Sequence, residues 1–189
     1  VQFRSKKSQT KTPNNFEKEK AIMPVKNPKE LFVTILSQVR QGSDRSAAIY
    51  KELGELAQNP EIQEALEARA FVSQQTLAKL DEAFKIIGEK PVNLTGRLHD
   101  VFVEDFRKEL GEIQSPEARR LFVLAKANHL SHMRTAEYVT LVAAADLSGH
   151  HGVGVLLESC LADHLSFVER TKRLIRHVIE AKLAARASS

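Results

Sequence analysis

Three times along this chain a side chain able to cap a helix stands directly before a proline: Asn27-Pro28, Asn59-Pro60 and Ser115-Pro116. Such a side chain accepts a hydrogen bond from the free amides of a helix's first turn, where proline's missing amide hydrogen costs nothing. Asn27 with Glu30 also has the spacing of a capping box. Each pair heads a long run whose apolar positions recur every three or four residues. From Pro28 to Gln58 these are Phe32, Ile35, Val39, Ile49, Leu53 and Leu56. From Pro60 to Ile87 they are Ile62, Leu66, Ala70, Leu77, Leu80, Phe84 and Ile87, with Gly88 as the stop. A short helix is predicted over 95–112, carrying Leu98, Phe102, Phe106 and Leu110. A fourth is predicted over 116–147 and a fifth over 152–184, separated by the turn SGHHG at 148–152.

Four helices of roughly 27–33 residues would each span about 40–50 Å. The link between the first and second is almost nothing, and that between the fourth and fifth about five residues. Short links make antiparallel neighbours. The sequence therefore predicts an all-α fold, a ferritin-like four-helix bundle made of two antiparallel hairpins joined through a short fifth helix. Residues 28–184 form this bundle, with a frayed C-terminus at 185–189. No strand run competes with it.

Charge separates the bundle from what precedes it. Of the 28 Lys/Arg and 24 Asp/Glu, seven and two lie in residues 1–27, so that stretch is net +5 and the remainder net −1. The stretch lacks helical periodicity and reads as a disordered basic tail, with Met23 a natural start. An arm for nucleic acid or an anionic surface is the sharper alternative. The bundle has no comparable basic patch, so nucleic-acid binding is rejected as the main function. No apolar run approaches the roughly 18–20 residues of a membrane helix, and no secretory h-region is visible. The lone Cys160 cannot form an internal disulfide, which fits a cytoplasmic location.

All four long stripes are interrupted near mid-length. The first passes through Gly42, Ser43 and Ser46, the second through Arg69 and Ser73. The fourth helix reads Leu121, Ala125, His129 or Asn128, His132, Ala136, Val139, and the fifth Leu157, Leu161, His164, Val168, Ile175. Interruptions at one level would form a polar belt inside the bundle. Buried polar groups without partners cost about 1–3 kcal/mol each, so a belt demands mutual hydrogen bonds, water or a metal. Bundles of this plan often hold two metals there, using a Glu from two helices and Glu-x-x-His from the other two. This chain lacks that set, and Arg69, if inward, repels a cation. Arg69 either snorkels to the surface or pairs with an acid such as Glu104.

Five segments stand out: ELF at 30–32, NPEIQEALE at 59–67, LDEAFKIIGEKP at 80–91, the pattern H-x-x-x-A-x-Y-x-T-L at 132–141, and LLESCLADH at 156–164. Together they resemble the bacterial ferritin-like family of unknown function that includes the stress-associated YciE and YciF. The resemblance covers residues 29–176 and implies a five-helix ferritin-like bundle, often dimeric, with a dinuclear metal centre. The departures fall on that centre. Ser43, beside Asp44, stands at an acidic position of the first helix, and Val72 at a glutamate position of the second. Ser131, His132, Met133 and Arg134 stand where the family has Glu-His-Tyr-Glu, with His129 replacing His132 under a one-turn shift. Asp163 and His164 replace paired glutamates, while Glu104 keeps an acidic position.

Two readings of the belt follow. In the first, His129 and His132 belong to a hydrogen-bonded core layer or a half-exposed face, and no cofactor is expected. In the second, His129, His132 and His164, with an acid such as Asp163 or Glu104, bind a single Zn, Fe or Mn ion. His150 and His151 are predicted to be solvated loop residues, and Cys160 to pack in the core. No nucleophile elbow, phosphate loop or Cys-x-x-Cys pair is present. The expected role is that of a stress-associated bundle with a degenerate metal site. It acts structurally or through an unknown protein partner, dimerises through a helical face, and lacks ferroxidase or oxidase activity. The alternative is a metalloprotein protective against peroxide.

Overall fold

The predicted caps are all made. Asn27 Oδ1 accepts from the Glu30 amide at 2.9 Å, Asn59 Oδ1 from that of Ile62 at 3.0 Å, and Ser115 Oγ from that of Ala118 at 3.3 Å. Glu30 reaches back in turn, accepting from Asn27 Nδ2 at 2.9 Å and from the Lys26 amide at 2.8 Å, a variant of the box in which the backbone donor lies one residue earlier. The computed structural model describes residues 25–94 and 96–188, so all but the end of the predicted basic tail lies outside the described residues. The helices are α1 (Pro28–Leu56), α2 (Pro60–Ile87), α3 (Leu98–Gly111), α4 (Pro116–Leu147) and α5 (His151–Ala187). No strand occurs among the described residues.

The ends differ from expectation where the chain turns. Gly88 stops α2 at φ 69°, as a C-terminal glycine does. After α4, Gly149 at φ 78° turns the chain, and the His150 amide returns to the Ala145 carbonyl at 2.9 Å. The chain re-enters helix at once, so α5 begins at His151 and continues to Ala187, past the predicted 184. α3 lacks a side-chain cap and starts three residues later than predicted, at Leu98.

α1 packs along α2 and α4 along α5, while α1 also meets α4 and α2 meets α5. The links at 57–59 and 148–150 leave room only for antiparallel hairpins. α3 lies across α1 and α4. It buries Phe106 and Leu110, and is held by Arg45–Asp100 at 2.8 Å, Arg107–Glu52 at 2.6 Å and Lys126–Glu109 at 2.8 Å. No helix among the described residues is long and apolar enough to cross a membrane.

The apolar core is divided in two. One cluster contains Ile49, Leu53, Ile62, Leu66, Phe106, Leu124, Leu130 and Phe167. The other contains Phe32, Leu36, Val39, Leu80, Phe84, Tyr138, Leu141, Leu157 and Cys160. Each burial of a Leu, Ile or Phe is worth about 1.5–3 kcal/mol, and the clusters hold the helices at both ends. On every long helix the residues between the clusters are those where the apolar stripe breaks.

α4 corrects the predicted stripe. Its buried face carries Leu124, Ala127, Ser131, Arg134, Tyr138 and Leu141. The predicted set belongs to the opposite side, where Ala125, His129, His132, Ala136 and Val139 are exposed. At about 100° per residue the two stripes lie roughly 150° apart, and each mixes apolar residues with two polar ones near its middle. An arginine is rarely fully buried, so the stripe that carries Arg134 reads as the outer one.

Candidate functional site

The belt between the clusters is built from all five helices. α1 supplies Gly42, Ser43, Ser46 and Tyr50, α2 supplies Arg69 and Ser73, and α3 supplies His99. α4 supplies Ser131, Arg134, Glu137 and Tyr138, and α5 supplies His164. Most hydroxyls are satisfied locally. Ser46 Oγ donates to the Gly42 carbonyl at 2.7 Å and Ser131 Oγ to that of Ala127 at 2.9 Å. With its proton so used, Ser131 Oγ accepts from Tyr50 Oη at 2.7 Å. Burial pushes the Tyr50 and Tyr138 phenols above their usual range, so both remain protonated.

Arg134, 1% exposed, projects from α4 towards α1. Its Nη2 is hydrogen-bonded to His99 Nε2, and Nη1 donates to the Val39 carbonyl at 3.4 Å. Glu137 Oε2 lies 2.8 Å from Nη1, close enough for an ion pair though without an aligned hydrogen bond. Gly42 makes this burial possible, because a Cβ there would fall on the guanidinium. Burial and the Arg134 charge hold His99 down at about pKa 4, so it is a neutral acceptor.

Arg69, 2% exposed, has no carboxylate partner among the described residues. Its Nη2 lies 2.6 Å from His164 Nδ1 and 3.0 Å from Nε2. The rings of Tyr50 and Phe167 flank the guanidinium at 5.5 and 5.6 Å, within cation–π range. Arg69 therefore neither snorkels nor meets Glu104. Burial, followed by the charges of Arg69 and Arg134, holds His164 down at about pKa 2.

The predicted ligands are dispersed. His129 is exposed and edge-on to Phe102 at 5.9 Å, and His132 is exposed on the same outer face. Asp163 is half-buried, 3.5 Å from Lys79 Nζ, and Glu104 is exposed, 3.3 Å from Arg97. Only His164 reaches the belt. Among the described residues no group of three or more His, Cys, Asp or Glu could hold a metal ion. A dinuclear centre needs carboxylates to offset its charge, whereas this belt holds two guanidinium groups and one carboxylate already committed to Arg134. The residues present do not fit the metals that the resemblance implies.

Two loop and core expectations divide. Cys160 is buried, and burial raises its thiol pKa, consistent with the predicted core role. His151 is exposed, 3.1 Å from Asp146, but His150 is half-buried with its ring 5.5 Å from Phe32. The sequence reading placed Arg134 at a position of the resembled family's metal site without expecting its burial, and it missed His99 and Glu137. The available signal was Gly42, since a glycine in the interior of a long helix marks a close approach.

The model of a family described as a domain of unknown function, DUF892, matches residues 27–184. The chain belongs to the DUF892 family. No curated protein matches it. Among solved structures, this DUF892 protein is similar to the stress protein YciF of E. coli, with TM-score 0.77 and 18% identity over 82% of this chain and 99% of that one. YcfI of Rhodopseudomonas palustris gives 0.75 and 21% over 79% and 96%. A protein of Xanthomonas campestris pv. campestris gives 0.68 and 16% over 85% and 99%. The resemblance carried by NPEIQEALE, LDEAFKIIGEKP and LLESCLADH thus holds for the family, and at these identities the structures speak to fold alone.

Proposed function

We propose that this DUF892 protein is a ferritin-like four-helix bundle in which guanidinium groups have replaced a dinuclear metal centre, and that it serves a structural or interaction role instead of oxidase chemistry. The observation that carries this reading is the burial of Arg69 and Arg134, 2% and 1% exposed, at the level where every long helix breaks its apolar stripe. Two fixed positive charges in a low-dielectric layer raise the energy of any divalent cation placed between them. The similarity to YciF, a stress protein of E. coli, supports a role under stress as the physiological setting.

The interaction surface is the outer face of α4, where His132, Ala136, Val139, Ala143 and Leu147 stand exposed over about 22 Å. Between His132 and Ala145 the charged side chains are Arg134 and Glu137, which face each other at the belt. From His132 to Ala143 the stripe carries no charge and can meet its own copy across a two-fold axis without like-charge repulsion, with Asp146 at its edge, so the proposed partner is a second copy.

Mass-spectrometric metal analysis of tag-free protein, after supplementation with iron, manganese and zinc, tests the first claim. Metal below about a tenth of an equivalent is the expected result, and near-stoichiometric metal would overturn it. Light scattering tests the second. The wild type should be a dimer and Val139→Glu with Ala143→Glu a folded monomer, whereas a monomeric wild type sinks the interface.

A further inference from the structure

The belt's charges do not balance. Arg134 has Glu137, but Arg69 faces only neutral groups among the described residues: His164, the Tyr50 phenol, and the Phe167 ring. Arg69 Nε and Nη1 have no hydrogen-bond partner, and neither does Ser73 Oγ, one turn along the same face of α2 and also 2% exposed. Water would satisfy these donors but leave the charge. An uncompensated buried ion costs several kcal/mol, and the guanidinium does not relieve the cost by deprotonating. The neighbours cannot supply the missing charge, because His164 has none to give and Tyr50 is held protonated.

We propose that Arg69 Nε and Nη1, together with Ser73 Oγ, bind a small monovalent anion of halide or nitrate size inside the belt. The chemistry sets the class. A monoanion neutralises Arg69, whereas sulfate or hydrogen phosphate would leave an excess negative charge and carry a larger desolvation cost. Gluconate, a large and heavily hydrated organic anion, serves as the reference salt. This inference rests on the reading of the belt as a cationic layer, and it adds a ligand to that layer.

The test uses the full chain, treated with chelator and kept in sodium gluconate at constant ionic strength. Chloride, bromide, nitrate or sulfate then replaces gluconate while thermal unfolding is followed. Chloride, bromide and nitrate should raise Tm with the logarithm of their concentration above the dissociation constant, by about 5–10 °C at a hundredfold excess over it, and sulfate should not. Arg69→Met should fold and lose the response. Ser73→Asp, which places a carboxylate one turn from Arg69, should raise Tm in gluconate and also lose it. If either variant fails to fold, a crystal of the wild type grown in bromide decides, with anomalous density expected beside Arg69 and Ser73. Equal Tm in all the salts, a response that rises in direct proportion to salt concentration, or bromide at the surface as an adventitious ion only would overturn the proposal. Metal uptake by the same chelated sample would contradict the proposed function while leaving the anion response to be read separately.

Discussion

Replacing Gly42 by alanine should destabilise this protein, although the same change in most helices stabilises. Alanine is about 1 kcal/mol better than glycine in a helix interior. Here the added Cβ would fall on the guanidinium of Arg134, a side chain only 1% exposed and enclosed by His99, Glu137 and the Val39 carbonyl. The guanidinium must leave its place, and breaking a buried charge pair costs about 3–5 kcal/mol. The net loss is about 2–4 kcal/mol, or about 4–16 °C in Tm for a chain of this size. Chemical and thermal unfolding of Gly42→Ala, Arg134→Ala and the double variant would measure it. In the Arg134→Ala background the methyl group enters vacated space, so Gly42→Ala should there gain up to about 1 kcal/mol. A Gly42→Ala protein more stable than wild type in its own background would refute the claim that glycine makes room for Arg134.

Acid should destabilise the fold well above the carboxylate range. His99 and His164 are held down at about 4 and about 2, whereas in the unfolded chain they bind protons near 6.5. Their contribution is therefore complete above about pH 6.5 and is lost as pH falls, by up to about 1.4 kcal/mol per pH unit for each. Denaturant titrations from pH 7 to 4 should show this slope, roughly halved in His99→Gln, and a flat profile down to pH 5 would contradict it. Asn59→Ala removes the side chain that accepts from the Ile62 amide and should cost about 1 kcal/mol, seen as a lower urea midpoint with unchanged m.

The caps were legible because they are local. Asn27, Asn59 and Ser115 need only the amide three residues on, and the structure uses all three as read. The belt was legible on α1, α2 and α5, where Ser43, Ser46, Arg69, Ser73 and His164 interrupt otherwise apolar stripes. On α4 the rule failed, because that helix has two apolar stripes and a tertiary contact decides which one turns inward. Its inner stripe carries Arg134, whose burial depends on Gly42 in one distant segment and His99 in another. Arg69 was weighed between the surface and Glu104, yet its partner, His164, lies 95 positions away. Pairings of that kind follow from the assembled fold and leave no trace in spacing.

The division of the core into two apolar clusters also bears on alignment. Aliphatic side chains are largely interchangeable, so four long helices with continuous apolar stripes could settle one turn out of step at modest cost. A guanidinium is not interchangeable with leucine. Sliding α4 along α1 by one turn, about 5.4 Å, would carry Arg134 away from the notch at Gly42 and against the side chain of Val39 or Ser46. Either shift would take the charge out of the one place where α1 leaves room for it. A few polar residues thus act as a keyway for axial registry, in the way a single buried polar pair fixes the stagger of a coiled coil.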